Sequence, residues 1–210
     1  MLNVAAGAFG DAAIAGMSIV TRISFFTYAM VIGLGQGFQP LCGFCYGAKL
    51  YGRVKEAFFF CIRCGTVFLS VCALLGFIFS TSIISIFRDD AAVVAVGSVA
   101  LRWQVLSFPL VASIVLTNML MQTIRKPVRA NIVAAARSGL FFIPLIFILP
   151  YFFGLLGVEM CQMWADCCSF AVAVPIAWSA FRDMRREQME LGKSPLEDKK
   201  ILEDKRKYLR

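Results

Sequence analysis

Two cysteine pairs offer the most obvious chemistry in this chain. Cys42-x-x-Cys45 and Cys61-x-x-Cys64 are separated by 15 residues, the spacing of a four-cysteine zinc site. Thiolate ligands of structural zinc sit in polar knuckle turns. Here the flanking residues are Pro40-Leu41 and Phe58-Phe59-Phe60, and the chain contains no histidine. In apolar surroundings cysteine behaves as a small hydrophobe. The reading is packing, not metal, and it extends to Cys72, Cys161, Cys167 and Cys168. No metal site, disulfide framework or cofactor is expected.

The second set is polar and lies inside apolar runs. Asp166 is the only acid between positions 160 and 181. A charge within a membrane span is costly and marks either a functional site or a buried partner. Asp166 is therefore either a proton or cation site facing a wet cavity, or a packing anchor bonded to a neighbouring hydroxyl or amide. Arg22 and Arg102 lie deep in their runs and need an acid, a carbonyl or a cavity as partner. Arg63 and Arg137 lie near run ends and are expected to snorkel to the interface. Gln36, Gln104, Ser107, Asn118 and Gln122 complete the set. Asn118 and Gln122 are four apart and share a helix face, as do Gln104 and Ser107 at a spacing of three. Polar residues of this kind serve as ligand contacts or as interhelical hydrogen bonds. Phe25, Phe26, Tyr28, Met119 and Met121 are candidates for contact with organic cations, through ring faces and adaptable thioethers.

The elements carrying these residues follow from composition. The chain has 210 residues, 60% of them apolar and 16% charged, with 20 phenylalanines and a mean hydropathy of +0.76. Typical soluble domains are roughly 45–50% apolar and about 25% charged. A soluble globule, a disordered chain, a coiled coil and a disulfide-stapled domain are excluded, and the lipid bilayer is the solvent. Five apolar runs, at 12–48, 57–87, 91–124, 130–158 and 160–181, each reach the roughly 20 residues that a helical span needs. They lack the alternation of barrel strands. The expected fold is all-α, a polytopic membrane helix bundle of five transmembrane helices plus the end of a sixth. The first run is too long for one straight span, and a single long helix bent near Pro40 is expected.

The net charge of +8 is distributed by loop. Lys49, Arg53 and Lys55 form one basic connection, and Arg125, Lys126 and Arg129 another. The connections at 88–90 and 157–159 are mixed or free of Lys and Arg. The segment 182–210 holds ten basic and seven acidic residues. The alternation follows the positive-inside rule. It predicts cytoplasmic loops at 49–56 and 125–129, a cytoplasmic C-terminus and a multi-pass protein of the plasma membrane. No basic stripe with interleaved aromatics lies outside the apolar runs, so nucleic acid is not expected as a partner. Residues 1–10 read as the end of a truncated helix, 11–186 as the membrane domain and 187–210 as a charged cytoplasmic tail. Beyond Ser194-Pro195, positions 196–210 read as a charged surface helix or a disordered end. The apolar beginning is too short to span and has no basic n-region of a signal peptide, so the chain is expected to be the C-terminal part of something longer.

Several ordered motifs carry a family resemblance. They are Gly10-Asp11-Ala12-Ala13-Ile14-Ala15, the run Gly33-Leu34-Gly35-Gln36-Gly37-Phe38-Gln39-Pro40, and Tyr46-Gly47-Ala48-Lys49. Arg53-Val54-Lys55-Glu56-Ala57, Leu140-Phe141-Phe142-Ile143-Pro144 and Gly154-Leu155-Leu156-Gly157-Val158 follow. From Met1 to about Arg186 the sequence resembles the MATE family of multidrug and toxic compound extrusion transporters. The resemblance implies a twelve-helix antiporter of two six-helix lobes, with this chain supplying the end of the seventh helix and helices eight to twelve. It implies export of small organic cations in exchange for Na⁺ or H⁺, a coupling ion and no other cofactor, and an N-terminal lobe as partner. Some members carry an acid on the helix that corresponds to 91–124; this sequence has none there, so that ligand does not carry over. The candidate substrate or cation contacts are Asp166, Asn118, Gln122, Gln104 and Gln36. A flippase-like carrier of lipid-linked saccharide, with a similar helical architecture, is the alternative. An enzyme is not expected, since no nucleophile with a base, phosphate loop or metal cluster is present.

Overall fold

The computed structural model describes Gly7 and residues 10–190, except the side chain of Ser138. Most of segment 1–10 and the tail from 191, with the expected helix at 196–210, lie outside the described residues. All regular structure among the described residues is helical: α1 (Asp11–Gly47), α2 (Tyr51–Ile78), α3 (Ser80–Phe87), α4 (Ala91–Thr123), α5 (Pro127–Ala135), a π-turn (Ala136–Leu140), α6 (Phe142–Phe153) and α7 (Leu155–Glu190). α1, α2, α4 and α7 are long and apolar enough to cross a membrane. The fourth apolar run, 130–158, is not one regular helix. It is divided into α5, the π-turn and α6, each too short to span alone.

Local chemistry sets the ends. Asp90 caps α4, its carboxylate accepting from the Ala92 amide at 3.0 Å. Pro127 opens α5, where a missing amide hydrogen costs nothing. α1 and α4 close in the same way. The Leu50 amide donates to Cys45 O at 2.8 Å, and the Lys126 amide to Met121 O at 2.9 Å. Each closure passes through a left-handed residue, Lys49 (φ 59°) and Arg125 (φ 56°). That is the Schellman geometry, with a basic residue where glycine is usual. Both cations sit where a helix C-terminus favours positive charge.

α1 is one helix through Pro40. α4 is the central element, packed against α1, α2, α3, α5 and α7. Small residues allow the closest approaches. A Cβ on Gly16 of α1 would stand 3.1 Å from the Gly97 nitrogen of α4, and one on Gly97 would stand 3.0 Å from Ile84 of α3. One apolar cluster gathers Met17, Val31, Leu69, Leu101 and Val105. A second gathers Phe38, Cys42, Cys45, Phe58, Cys61 and Met121. Three of the four paired cysteines are thus buried among apolar side chains, while Cys64 is exposed. Phe147, Tyr151 and Phe152 of α6 are exposed, as suits a face turned to hydrocarbon.

The turn before the last helix differs from the expected connection at 157–159. The chain reverses at Gly154 (φ 58°, ψ −133°), and Gly157, Val158 and Glu159 already belong to α7. The reversal is so tight that a Cβ on Gly157 would collide with the backbone of Leu149. Only glycine fits both positions.

Candidate functional site

The polar groups of the sequence converge where α1, α4, the π-turn and α7 meet. Asp166 on α7 is fully buried. Its Oδ1 accepts from Arg137 Nε at 2.9 Å and from Gln162 Nε2 at 3.3 Å, and its Oδ2 accepts from the Ser107 hydroxyl at 2.9 Å. Gln104, one turn before Ser107, donates to the Ser107 oxygen at 3.3 Å. One helix thus offers a hydroxyl and an amide at a spacing of three, and the other offers the carboxylate.

Arg137 departs from expectation. It does not snorkel towards the interface: the π-turn aims it inward, and Asp166 takes its charge. Its guanidinium also lies 4.2 Å from the centre of the Tyr28 ring, a cation–π contact that keeps the ion pair against α1. π-Turns inside α-helices recur where a side chain must be re-aimed. Nothing in the residue types of 136–140 announces the turn.

Arg137 and Tyr28 border two clefts and a small cavity of about 20 Å³. One cleft, of about 440 Å³, is also lined by Phe25, Gln104, Glu159 and Gln162. The other, of about 180 Å³, is lined by Asn118, Met119, Gln122 and Val133. In the latter Gln122 donates to Asn118 at 2.6 Å, so the pair of amides on one helix face is real. Of the aromatic and methionine candidates, Phe25, Tyr28 and Met119 line a cleft. Met121 is fully buried in an apolar cluster, and Phe26 is exposed. Gln36 is exposed on α1 and borders neither cleft. Gln104, Asn118 and Gln122 are therefore gathered around the Arg137–Tyr28 wall, and Gln36 stands apart.

The deep arginines behave differently from Arg137. Arg102 donates to the Ser80 hydroxyl at 2.9 Å and lies 5.8 Å from the centre of the Phe77 ring. Arg22 is exposed. A second charged cluster ties the basic end together: Asp183 accepts from Lys126 at 2.6 Å and from Arg129 at 3.0 Å, while Tyr51 donates to Glu187 at 2.6 Å.

Glu159 is the functional candidate that the residue pattern did not single out. It is 3% exposed, lines the larger cleft, and its Oε2 accepts no hydrogen bond among the described residues. The signal was present: an acid between Gly157-Val158 and Met160-Cys161, with no Lys or Arg nearby. It reads as a loop residue only when the turn is placed three residues too late.

A bundle of long apolar helices, with a buried ion pair and polar clefts between them, defines a polytopic membrane protein. Residues 1–148 match the family model MatE, and the chain belongs to that family. The multidrug export protein MepA of Staphylococcus saprophyticus is 26% identical over 197 residues, covering 93% of this chain and 42% of the relative. MepA of Staphylococcus aureus strain N315 is 29% identical over 179 residues, covering 85% and 39%. Among solved structures, the Vibrio cholerae MATE transporter VcmN in its bent form superposes with a TM-score of 0.80 at 19% identity, over 86% of this chain and 41% of that one. A MOP-superfamily transporter from Pyrococcus furiosus gives 0.82 at 15% identity, over 88% and 42%. The chain spans about two-fifths of the length of the relatives it matches.

Proposed function

We propose that this chain is the C-terminal lobe of a secondary antiporter that exports small organic cations across the plasma membrane in exchange for Na⁺ or H⁺. The observation that carries the reading is the larger cleft. It sets the rings of Phe25 and Tyr28 beside Gln104, Gln162 and the carboxyl of Glu159. Aromatic faces and a carboxylate attract a cation, and a mostly apolar lining tolerates varied shapes. The exporter names of the relatives favour this reading over a carrier of lipid-linked saccharide.

The partner in this reading is an N-terminal lobe that closes the cleft from the other side. Asp166 is the anchor of the site, since its four-membered network leaves it no free charge. The basic ends of the helices and the C-terminus face the cytoplasm. The test is efflux of a fluorescent organic cation from cells that lack their own exporters. Expression with a matching N-terminal lobe should lower accumulation, and the 210-residue chain alone should not. Unchanged accumulation with both lobes in the membrane would sink the proposal.

A further inference from the structure

The charges around the larger cleft do not balance. The π-turn contributes Arg137, α1 contributes the Tyr28 phenol, and α7 contributes Glu159 and, two turns further on, Asp166. α4 brings only the neutral Gln104 and Ser107, and α6 only Phe142. Arg137 and Asp166 neutralise each other at 2.9 Å. Glu159 is the carboxyl left over. Its Oε2 is buried and accepts no hydrogen bond among the described residues, and across the cleft on α1 the Ser24 hydroxyl is buried and equally unpartnered. A buried carboxylate with neither counter-ion nor donors is strongly disfavoured. Such a group takes up a cation. A protonated carboxyl needs an acceptor, and a sodium ion needs neutral oxygens beside the carboxylate; the Ser24 oxygen lines the same cleft and suits either.

We propose that Glu159 is an exchangeable monovalent-cation site of this lobe, holding a proton or a sodium ion in the cleft between α1 and α7. Its meaning as the coupling site rests on the exporter reading above. Arg137 is held by Asp166 and Tyr28, so it restrains the cleft without cancelling Glu159. The site differs from the Asp166 network in having an orphaned oxygen, and it lies at the opposite end of α7 from the Asp183 cluster.

The test is infrared difference spectroscopy of the purified 210-residue chain in lipid nanodiscs, stepped in pH in sodium or choline chloride. The wild type should show a protonated-carboxyl band that grows as pH falls, and Glu159→Gln should remove one component of it at unchanged helix content. If sodium, unlike choline, moves the midpoint to lower pH, the two cations share the site; if it does not, the cation is the proton alone. Persistence of the whole band in a folded Glu159→Gln variant overturns the proposal. Should that variant fail to fold, Glu159→Asp decides: a displaced midpoint supports the site, and a titration identical to the wild type's overturns it. The readout does not require transport. A titrating Glu159 in a chain that never supports efflux keeps the cation site and removes the exporter reading, and efflux with a silent Glu159 does the reverse.

Discussion

Arg137 and Asp166 form a buried ion pair across the seam between the π-turn and α7, 2.9 Å apart, with the carboxylate fully enclosed and the guanidinium one-fifth exposed. Each partner is also held by a second group, Arg137 by the Tyr28 ring and Asp166 by the Ser107 hydroxyl. Breaking such a pair from one side leaves an uncompensated buried charge, which costs about 3–5 kcal/mol. Arg137→Ala should therefore lower unfolding stability in detergent by that order. The double variant Arg137→Ala/Asp166→Ala should lose clearly less than the sum of the two single losses. Additive losses would mean that the two groups do not act as a pair. Asp166→Asn keeps an acceptor for Ser107, so in a two-lobe transporter efflux should survive while thermal stability falls.

The ion pairs at the basic end are more exposed, with side chains 28–36% accessible. Surface pairs contribute about 0–1 kcal/mol each. Asp183→Asn should cost at most about 2 kcal/mol in total, and its main effect should be local. Hydrogen exchange should accelerate in 125–130, where α5 begins, and not in α1. Uniform acceleration along the chain would show that the cluster holds the whole bundle.

Two glycines make contrasting contacts. A Cβ on Gly157 would strike the Leu149 backbone, and one on Gly35 would strike the Met119 sulfur, at the flexible end of a side chain. Gly157→Ala should destabilise by about 1–3 kcal/mol, the usual cost of overpacking. Gly35→Ala should be much milder, because methionine re-packs. Thermal unfolding of the two variants side by side checks the order, and a reversed order would contradict the hairpin geometry.

Lys49 and Asp89 are both exposed, and the charge alternation of the connections puts them on opposite sides of the membrane. Single cysteines at these positions, in a cysteine-free background, should react with an impermeant reagent from opposite faces. Lys49 should be reached from the cytoplasm. Labelling of both from one side would refute the topology.

Much of this architecture is readable in the residues because the helices are written by length and hydropathy. α1, α2, α4 and α7 lie largely within the apolar runs, and the mixed connection Arg88-Asp89-Asp90 falls where α3 ends and α4 begins. The errors have a common origin. Glu159 looks like a loop residue because it is charged, yet Gly154 supplies the left-handed turn, and the acid is carried into the helix. Arg137 looks like a snorkelling residue because it lies near a run end, yet a π-turn re-aims it, and π-turns have no residue signature. Asp166 was legible as either site or anchor. Its hydroxyl and amide partners fit the anchor, while its salt bridge depended on a backbone irregularity that composition does not encode.

That irregularity has a further consequence. An α-helix turns its side chains by about 100° per residue, and a π-turn inserts one surplus step into that rotation. Residues before and after 136–140 are therefore written in two different phases. α5 packs mainly on α4, while α6 packs on α7 and shows Phe147 and Tyr151 outward. A one-residue deletion between 136 and 140 would restore a single phase. It would shorten the segment by little, and its effect would be rotational: the arginine would leave its aspartate, and the aromatic face would swing away from the side it now covers.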